Sequence, residues 1–177
     1  MATMSEVPVS AGTAVHTTIR SSLGDLTVVA RDGSVTGLYF PHHWHRPDPA
    51  GFGEYRDDGF DAVRRQLEEY LAGERRDFEL PVETAGSPFQ ERVWRRLRQI
   101  PYGATVSYGE LARELGAGVT AQEVGGAVGR NPVSIIVPCH RVVGASGGLT
   151  GYAGGLRRKR MLLDLEQDAA GRSARLF

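Results

Sequence analysis

The pattern of apolar and polar positions changes period along the chain. Residues Leu26 to Ala30 and Ser34 to Phe40 are β-prone, and Asp32-Gly33 between them is a hairpin turn signal. Periodicity is lost across residues 41–59, where three prolines and three glycines predict a loop. Phe60, Val63, Leu67, Tyr70 and Leu71 then share one helical face, and Gly73 follows as a stop. Residues 79–86 read as a linker.

The second half is punctuated by three capping boxes. Ser87-Pro88-Phe89-Gln90 opens a helix predicted to run to about Ile100, burying Phe89, Val93, Trp94, Leu97 and Ile100, before Pro101-Tyr102-Gly103 ends it. Ser107 to Glu110 opens a short helix to Leu115, with Gly116 as its stop. Thr120 to Glu123 opens another, to about Gly129. These two short helices have helix-turn-helix dimensions. The second is stripped of side chains at Gly125, Gly126, Ala127 and Gly129, although each Gly costs about 1 kcal/mol of helix stability relative to Ala. Such a helix suits tight packing against a neighbour, or close approach to a narrow groove such as the DNA minor groove. Residues 134–137 are predicted as a short buried strand delivering Pro138-Cys139-His140. A glycine-rich loop follows, and then a closing helix from Leu156 to Glu166. That helix has an apolar face at Leu162, Leu163 and Leu165 and a basic run, Arg157-Arg158-Lys159-Arg160.

The fold class is therefore α/β (α+β). A small N-terminal sheet-and-helix part spans residues 1–80, a linker 81–86, and a mostly helical part 87–177. A chain of 177 residues with 41% hydrophobic content can build a real core. No apolar run approaches the roughly 20 residues that span a bilayer. The first fifteen residues lack the basic-then-apolar pattern of a signal peptide, so a cytoplasmic location and no membrane partner are expected. The formal net charge of zero conceals an asymmetry. Residues 1–86 carry eight Lys and Arg against fourteen Asp and Glu, and residues 87–177 carry thirteen against seven. The basic half fits a nucleic-acid partner, or simply a solvated face.

That half also holds the single cysteine, Cys139, which excludes an internal disulfide. A free Cys among Ile, Val and Pro is ordinarily a small buried hydrophobe. His140 beside it and Glu166 downstream offer a base and a group to orient that base, which would make Cys139 a nucleophile. Neighbouring side chains on a strand point to opposite faces, so contact with His140 requires a turn or a bridging water.

Pro138-Cys139-His140-Arg141-Val142, preceded by Asn131-Pro132, resembles the active-site signature of the O6-alkylguanine-DNA alkyltransferases. The likeness runs from about Phe89 to Glu166 and includes residues 100–103, Ser107-Tyr108, residues 124–127, Gly151-Tyr152 and residues 154–156. The N-terminal half matches only in layout, as a ribonuclease H-like cap. The resemblance implies DNA repair by direct damage reversal: irreversible transfer of an alkyl group from O6 of guanine, with O4-alkylthymine as a further candidate, to Cys139 of a flipped-out nucleotide. His140 would take the thiol proton, Glu166 would hold His140, Tyr108 would serve the leaving base near N3, and Asn131 would link the recognition helix to the site. Val128, Val142, Tyr152, Ala153 and Lys159 would bind substrate. Ala121, Gln122, Gly125, Ala127, Arg130 and Arg141 would meet DNA. The partner implied is double-stranded DNA containing O6-alkylguanine, bound through the minor groove by a monomer, with cooperativity along DNA left open. No cofactor is implied. Some family members hold zinc through cysteines in the N-terminal half, which this chain lacks, so residues 42–45 are expected to form a solvated loop rather than a metal site.

One position departs from the family pattern. The usual arginine that fills the space left by the flipped nucleotide falls, counting back from Asn131, at Gln122. The competing classes are a cysteine hydrolase, a non-catalytic sensor of alkylated DNA, and a helix-turn-helix regulator. One alkyl mass gained on Cys139 without turnover separates the first reading from all three.

Overall fold

The computed structural model describes residues 12–174. Four strands form the N-terminal sheet in the order β3-β2-β1-β4. These are β1 (Ala14–Ile19), β2 (Leu26–Arg31), β3 (Ser34–Tyr39) and the short β4 (Glu54–Tyr55). β2 and β3 form the expected hairpin, with a register shift between Val29 and Ala30. The turn places Asp32 and Gly33 at positive φ, 50° and 81°, as a two-residue hairpin turn requires. β1 pairs antiparallel with β2 and parallel with β4. Its Val15, Thr17 and Ile19 alternate inward, a period-2 signal weakened by the buried threonine.

Helix α1 (Asp61–Leu71) buries Val63, Leu67 and Tyr70 behind Phe60, as its spacing predicts. The segment read as a linker is tied down: Val82 bridges Val35 in parallel, and Glu83 N–H donates to Val35 O at 3.0 Å.

The three capping boxes close α2 (Pro88–Leu97), α3 (Tyr108–Leu115) and α4 (Ala121–Gly129). α2 stops short of Ile100. Gln99 and Ile100 donate to carbonyls three residues back, tightening the chain before Pro101, which disfavours continued helix. α4 packs on α2 and α3, and Trp94 Nε1 donates to Ala127 O at 2.8 Å. The closing helix, α5 (Leu156–Ala174), runs well past Glu166 because its buried face continues to Ala169. β5 (Val106–Ser107) and β6 (Val142–Val143) form a small parallel pair between these helices.

Residues 134–137 are a turn, not the predicted strand. Ile136 N–H donates to Ser134 O across Ile135, whose φ is +71°. That is the rare, strained form of γ-turn, and a β-branched residue there costs on the order of 1–3 kcal/mol. Pro138, at φ −81° and ψ 64°, centres a second γ-turn of the relaxed form, with Cys139 N–H donating to Val137 O at 2.8 Å. Cys139–Arg141 then forms one 3-10 turn. Apolar content marked the segment as buried, but two successive tight turns replace the ladder pairing of a strand.

A continuous core joins both parts of the molecule, from Val15 and Leu38 through Phe40, Tyr70 and Leu97 to Cys139 and Leu162. At Gly154 a Cβ would come within 2.4 Å of Phe40 Cδ2, so only glycine lets the loop before α5 lie against the N-terminal part.

Candidate active site

Three structural pieces deliver the thiol. The double γ-turn places Cys139 at the start of the 3-10 turn. Asn131, just beyond α4, staples that turn: its Nδ2 donates to Val137 O at 2.9 Å and its Oδ1 accepts from Val133 N–H at 3.0 Å. Helix α5 supplies the groups behind it. Lys159, Leu162, Leu163 and Glu166 recur at 3, 4 and 7 positions, so two ionisable groups sit on its buried face.

The thiol lines a cavity of about 160 Å³, walled by Tyr108, Gly125, Gly126, Val128, Gly129, Gly151, Tyr152 and Ala153, with Trp44 and His45 at its edge. This is small against the several hundred Å³ of drug-sized sites and suits one planar ring system. The chain thus brings Cys139, Tyr108, Val128, Tyr152, Ala153 and Gly125 together. A wider cleft of about 570 Å³ shares the Trp44, His45 and Gly129 wall and includes Arg130, but it does not reach the thiol.

Behind the cavity lies a fully buried charge cluster. Glu166 Oε1 is 2.8 Å from His140 Nε2 and 2.7 Å from Arg141 Nη2. Arg141 Nε donates to Glu166 Oε2 at 3.0 Å, and its Nη1 donates to Ile100 O at 2.7 Å. Gly103 N–H donates to Glu166 Oε2 at 3.3 Å. Burial alone would raise the Glu166 carboxyl, but the hydrogen bonds and charges of His140 and Arg141 outweigh it and hold the group at about 2. Glu166 is therefore a carboxylate that only accepts, so His140 Nε2 carries the proton. His140 Nδ1, buried and without a protein partner, is left as the free base.

The thiol and the imidazole rest neutral. Burial pushes the Cys139 thiol up, with the Asn131 amide and the Lys159 cation opposing it. Burial pushes His140 down against the pull of Glu166. The Tyr152 and Ser134 hydroxyls lie near enough to the thiol to bear on these ionisations, yet neither makes a hydrogen bond of ordinary geometry. Lys159 is fully buried, with Nζ 3.3 Å from Thr150 O, 3.2 Å from Gly151 O and over the Tyr108 ring. Burial lowers it to about 8. Tyr108 Oη donates to Thr150 O at 3.0 Å, which commits its single proton.

Several residues are placed elsewhere than the sequence suggests. Arg141, which the resemblance implies as a DNA contact, is 7% exposed and committed to Glu166 and Ile100. Ala127 faces the protein core from α4, while Ala121, Gln122 and Gly126 are on its open face. Val142 is fully buried, paired with Val106, and absent from the cavity wall. The loop at residues 42–45 is not simply solvated. His43 is buried, accepting from Phe40 N–H at Nδ1, and burial lowers it to about 4. Trp44 N–H donates to Ala153 O at 2.9 Å, although the indole is 69% exposed. Among the described residues no three His, Cys, Asp or Glu side chains converge on a metal position.

Sequence reasoning missed the N-terminal contribution to the site. Tyr70, read as a core position of α1, donates from Oη to Glu166 Oε1 at 2.6 Å. Phe40 packs edge-on against Tyr152 with centroids 5.8 Å apart. A tyrosine on an apolar stripe gives no sign of which polar group it will meet.

Residues 88–168 match the sequence family described as 6-O-methylguanine DNA methyltransferase, DNA binding domain. Residues 14–84 match its ribonuclease-like domain. The chain belongs to the 6-O-methylguanine DNA methyltransferase family. A methylated-DNA–protein-cysteine methyltransferase of Mycolicibacterium paratuberculosis is 46% identical over 162 residues, covering 92% of this chain and 98% of its own. The inducible enzyme of Bacillus subtilis is 47% identical over 114 residues, 64% of each chain. Mycobacterium tuberculosis OGT, solved in complex with DNA, superposes with a TM-score of 0.81 at 44% identity, covering 88% of this chain and 94% of that one. This methyltransferase family thus accounts for both halves of the molecule.

Proposed function

We propose that the protein repairs DNA as a methylated-DNA–protein-cysteine methyltransferase, moving the alkyl group from O6 of guanine in duplex DNA to Cys139. The observation that carries this reading is the thiol in the wall of a cavity sized for one planar ring system, backed by His140 with its Nδ1 free and beside the glycine-lined face of α4. The mycobacterial and bacillary relatives carry that activity in their names, and the M. tuberculosis protein was solved on DNA.

The steps follow from the groups present. The bare face of α4, at Gln122, Gly125 and Gly126, approaches the minor groove, and Arg130 at its end contacts phosphate. The damaged nucleotide is flipped into the cavity, since O6 is unreachable in the stack. The Cys139 proton leaves to His140 Nδ1 through a bridging water, and sulfur attacks the alkyl carbon. The S–C bond forms as the C–O6 bond breaks. Tyr108 Oη gives a proton to N3 of the departing guanine and is reprotonated at the expense of the His140 imidazolium. The product thioether has no group in the site to cleave it, so each molecule acts once, as a monomer on its lesion.

Intact-protein mass spectrometry after incubation with O6-methylguanine duplex tests this. One methyl mass on Cys139, with no second event, is expected. A Cys139→Ala variant that still removes the lesion would overturn it, and turnover of an acyl substrate would favour a hydrolase.

A further inference from the structure

We propose that Tyr70, on α1 in the N-terminal part, is a positioning residue for alkyl transfer: its hydroxyl shares Glu166 Oε1 with His140 and so limits how strongly Glu166 pulls on the imidazole. The inference rests on the reading of Cys139 as acceptor and His140 as its base.

Oε1 receives three donors at short range: Tyr70 Oη at 2.6 Å, Arg141 Nη2 at 2.7 Å and His140 Nε2 at 2.8 Å. Tyr70 Oη is itself 3.4 Å from His140 Nε2, so it also packs the ring edge and fixes the plane in which Nδ1 must meet the thiol. The hydroxyl is fully buried and its phenol is pushed up by burial first and then by Glu166, so it stays a donor at any working pH. The groups facing this cluster are Arg141, Tyr102, Lys159 and, from the loop before α5, Tyr152, with Arg76 beyond the Tyr102 ring. Arg141 is already committed, and Lys159 is held at Thr150 and Gly151. The Tyr102 hydroxyl makes no hydrogen bond to Glu166 while Tyr70 is present, and a Tyr70→Phe, Tyr102→Phe double variant removes it as a substitute donor.

A carboxylate bonded by fewer donors attracts a proton on its remaining partner more strongly. Without the Tyr70 hydroxyl, Glu166 would stabilise the imidazolium further, and His140 would hold its proton to higher pH. A protonated His140 cannot accept from the thiol, so the acid limb of the transfer rate would move up.

The test is single-turnover alkylation of the full chain by free O6-benzylguanine, which removes DNA affinity from the measurement, between pH 5 and 9. For Tyr70→Phe the acid limb is expected about 0.5–1 pH unit higher, with rates on that limb roughly 3–10-fold lower and the alkaline plateau little changed. Incorporation of 3-fluorotyrosine at position 70 keeps the shape and strengthens the donor, so its acid limb is expected lower than wild type. Profiles of both proteins that coincide with wild type would overturn the inference. So would a uniform loss of rate in Tyr70→Phe with no displacement of the limb, which a merely structural role predicts. If Tyr70→Phe fails to fold, the fluorinated protein alone decides. A wild-type protein that gains no alkyl mass on Cys139 would instead refute the parent reading.

Discussion

Cys139 and His140 rest as a neutral thiol and a neutral imidazole, so in the proposed reaction the nucleophile is made during the transfer rather than stored. Burial sets both directions, and the ionised Glu166 selects the tautomer that leaves Nδ1 free. The residue types of this constellation are legible in the sequence because Pro138-Cys139-His140 is contiguous and the cysteine is unique. The role of Arg141 is not legible, because charge says nothing of whether a side chain meets phosphate or a buried carboxylate. Gln122 is exposed on the outer face of α4, and the family resemblance implies an arginine at this position that fills the space left by the flipped nucleotide. Gln122→Arg is expected to speed transfer from damaged duplex by about 1 kcal/mol, roughly fivefold, and to leave transfer from free O6-benzylguanine unchanged. Single-turnover rates on the two substrates check it, and equal duplex rates would remove any role for this position in extrusion.

Helix α4 shows how an element can be stable enough with glycine at Gly125, Gly126 and Gly129. Its capping box, with Thr120 and Glu123 bonded reciprocally, and the Trp94 bond to Ala127 O hold it in place. A Cβ at Gly126 would meet nothing within 4 Å, so packing within the protein does not demand the glycine. Gly126→Ala is therefore expected to stabilise the fold by about 0.5–1 kcal/mol in thermal unfolding while weakening affinity for duplex. If affinity held steady, close approach of this backbone to DNA would lose its support. Caps and stops made α2, α3 and α4 readable to within a few residues, because each cap is a local bond between residues three apart. The segment at 134–137 was misread because buried strands and buried tight turns share the same apolar composition. The local bonds from Asn131, together with the long-range bonds between Leu38 of β3 and Pro132 and Ser134, decide between them.

At the scale of the whole molecule, the N-terminal part helps to build the site. Tyr70, Phe40 and Trp44 reach Glu166, Tyr152 and Ala153 across the core that joins the two parts. The buried Glu166 cluster also links folding to pH. A carboxyl held at about 2 against an ordinary 4.5 adds stability that is present above pH 4.5 and is lost as pH falls toward 2. His140, buried neutral, acts in the same direction below its ordinary 6.5. Glu166→Gln leaves Arg141 buried without its counter-charge, so a loss of about 3–5 kcal/mol at pH 7 is expected. Its stability should also fall less steeply than wild type between pH 4.5 and 2. Denaturant titrations across that range check both, and an unchanged midpoint at pH 7 would show that Arg141 finds another partner.

The sequence by itself determined the capped helices, the hairpin, the candidate nucleophile and the likeness to a family, because periodicity, caps and contiguous motifs are local. Tertiary structure alone decided the turn that aims Cys139, the burial that keeps it a thiol, and the meeting of Tyr70, Arg141 and His140 on one carboxylate. Those residues lie 25 to 96 positions from Glu166 or its neighbours in the chain, and only packing sets such distances.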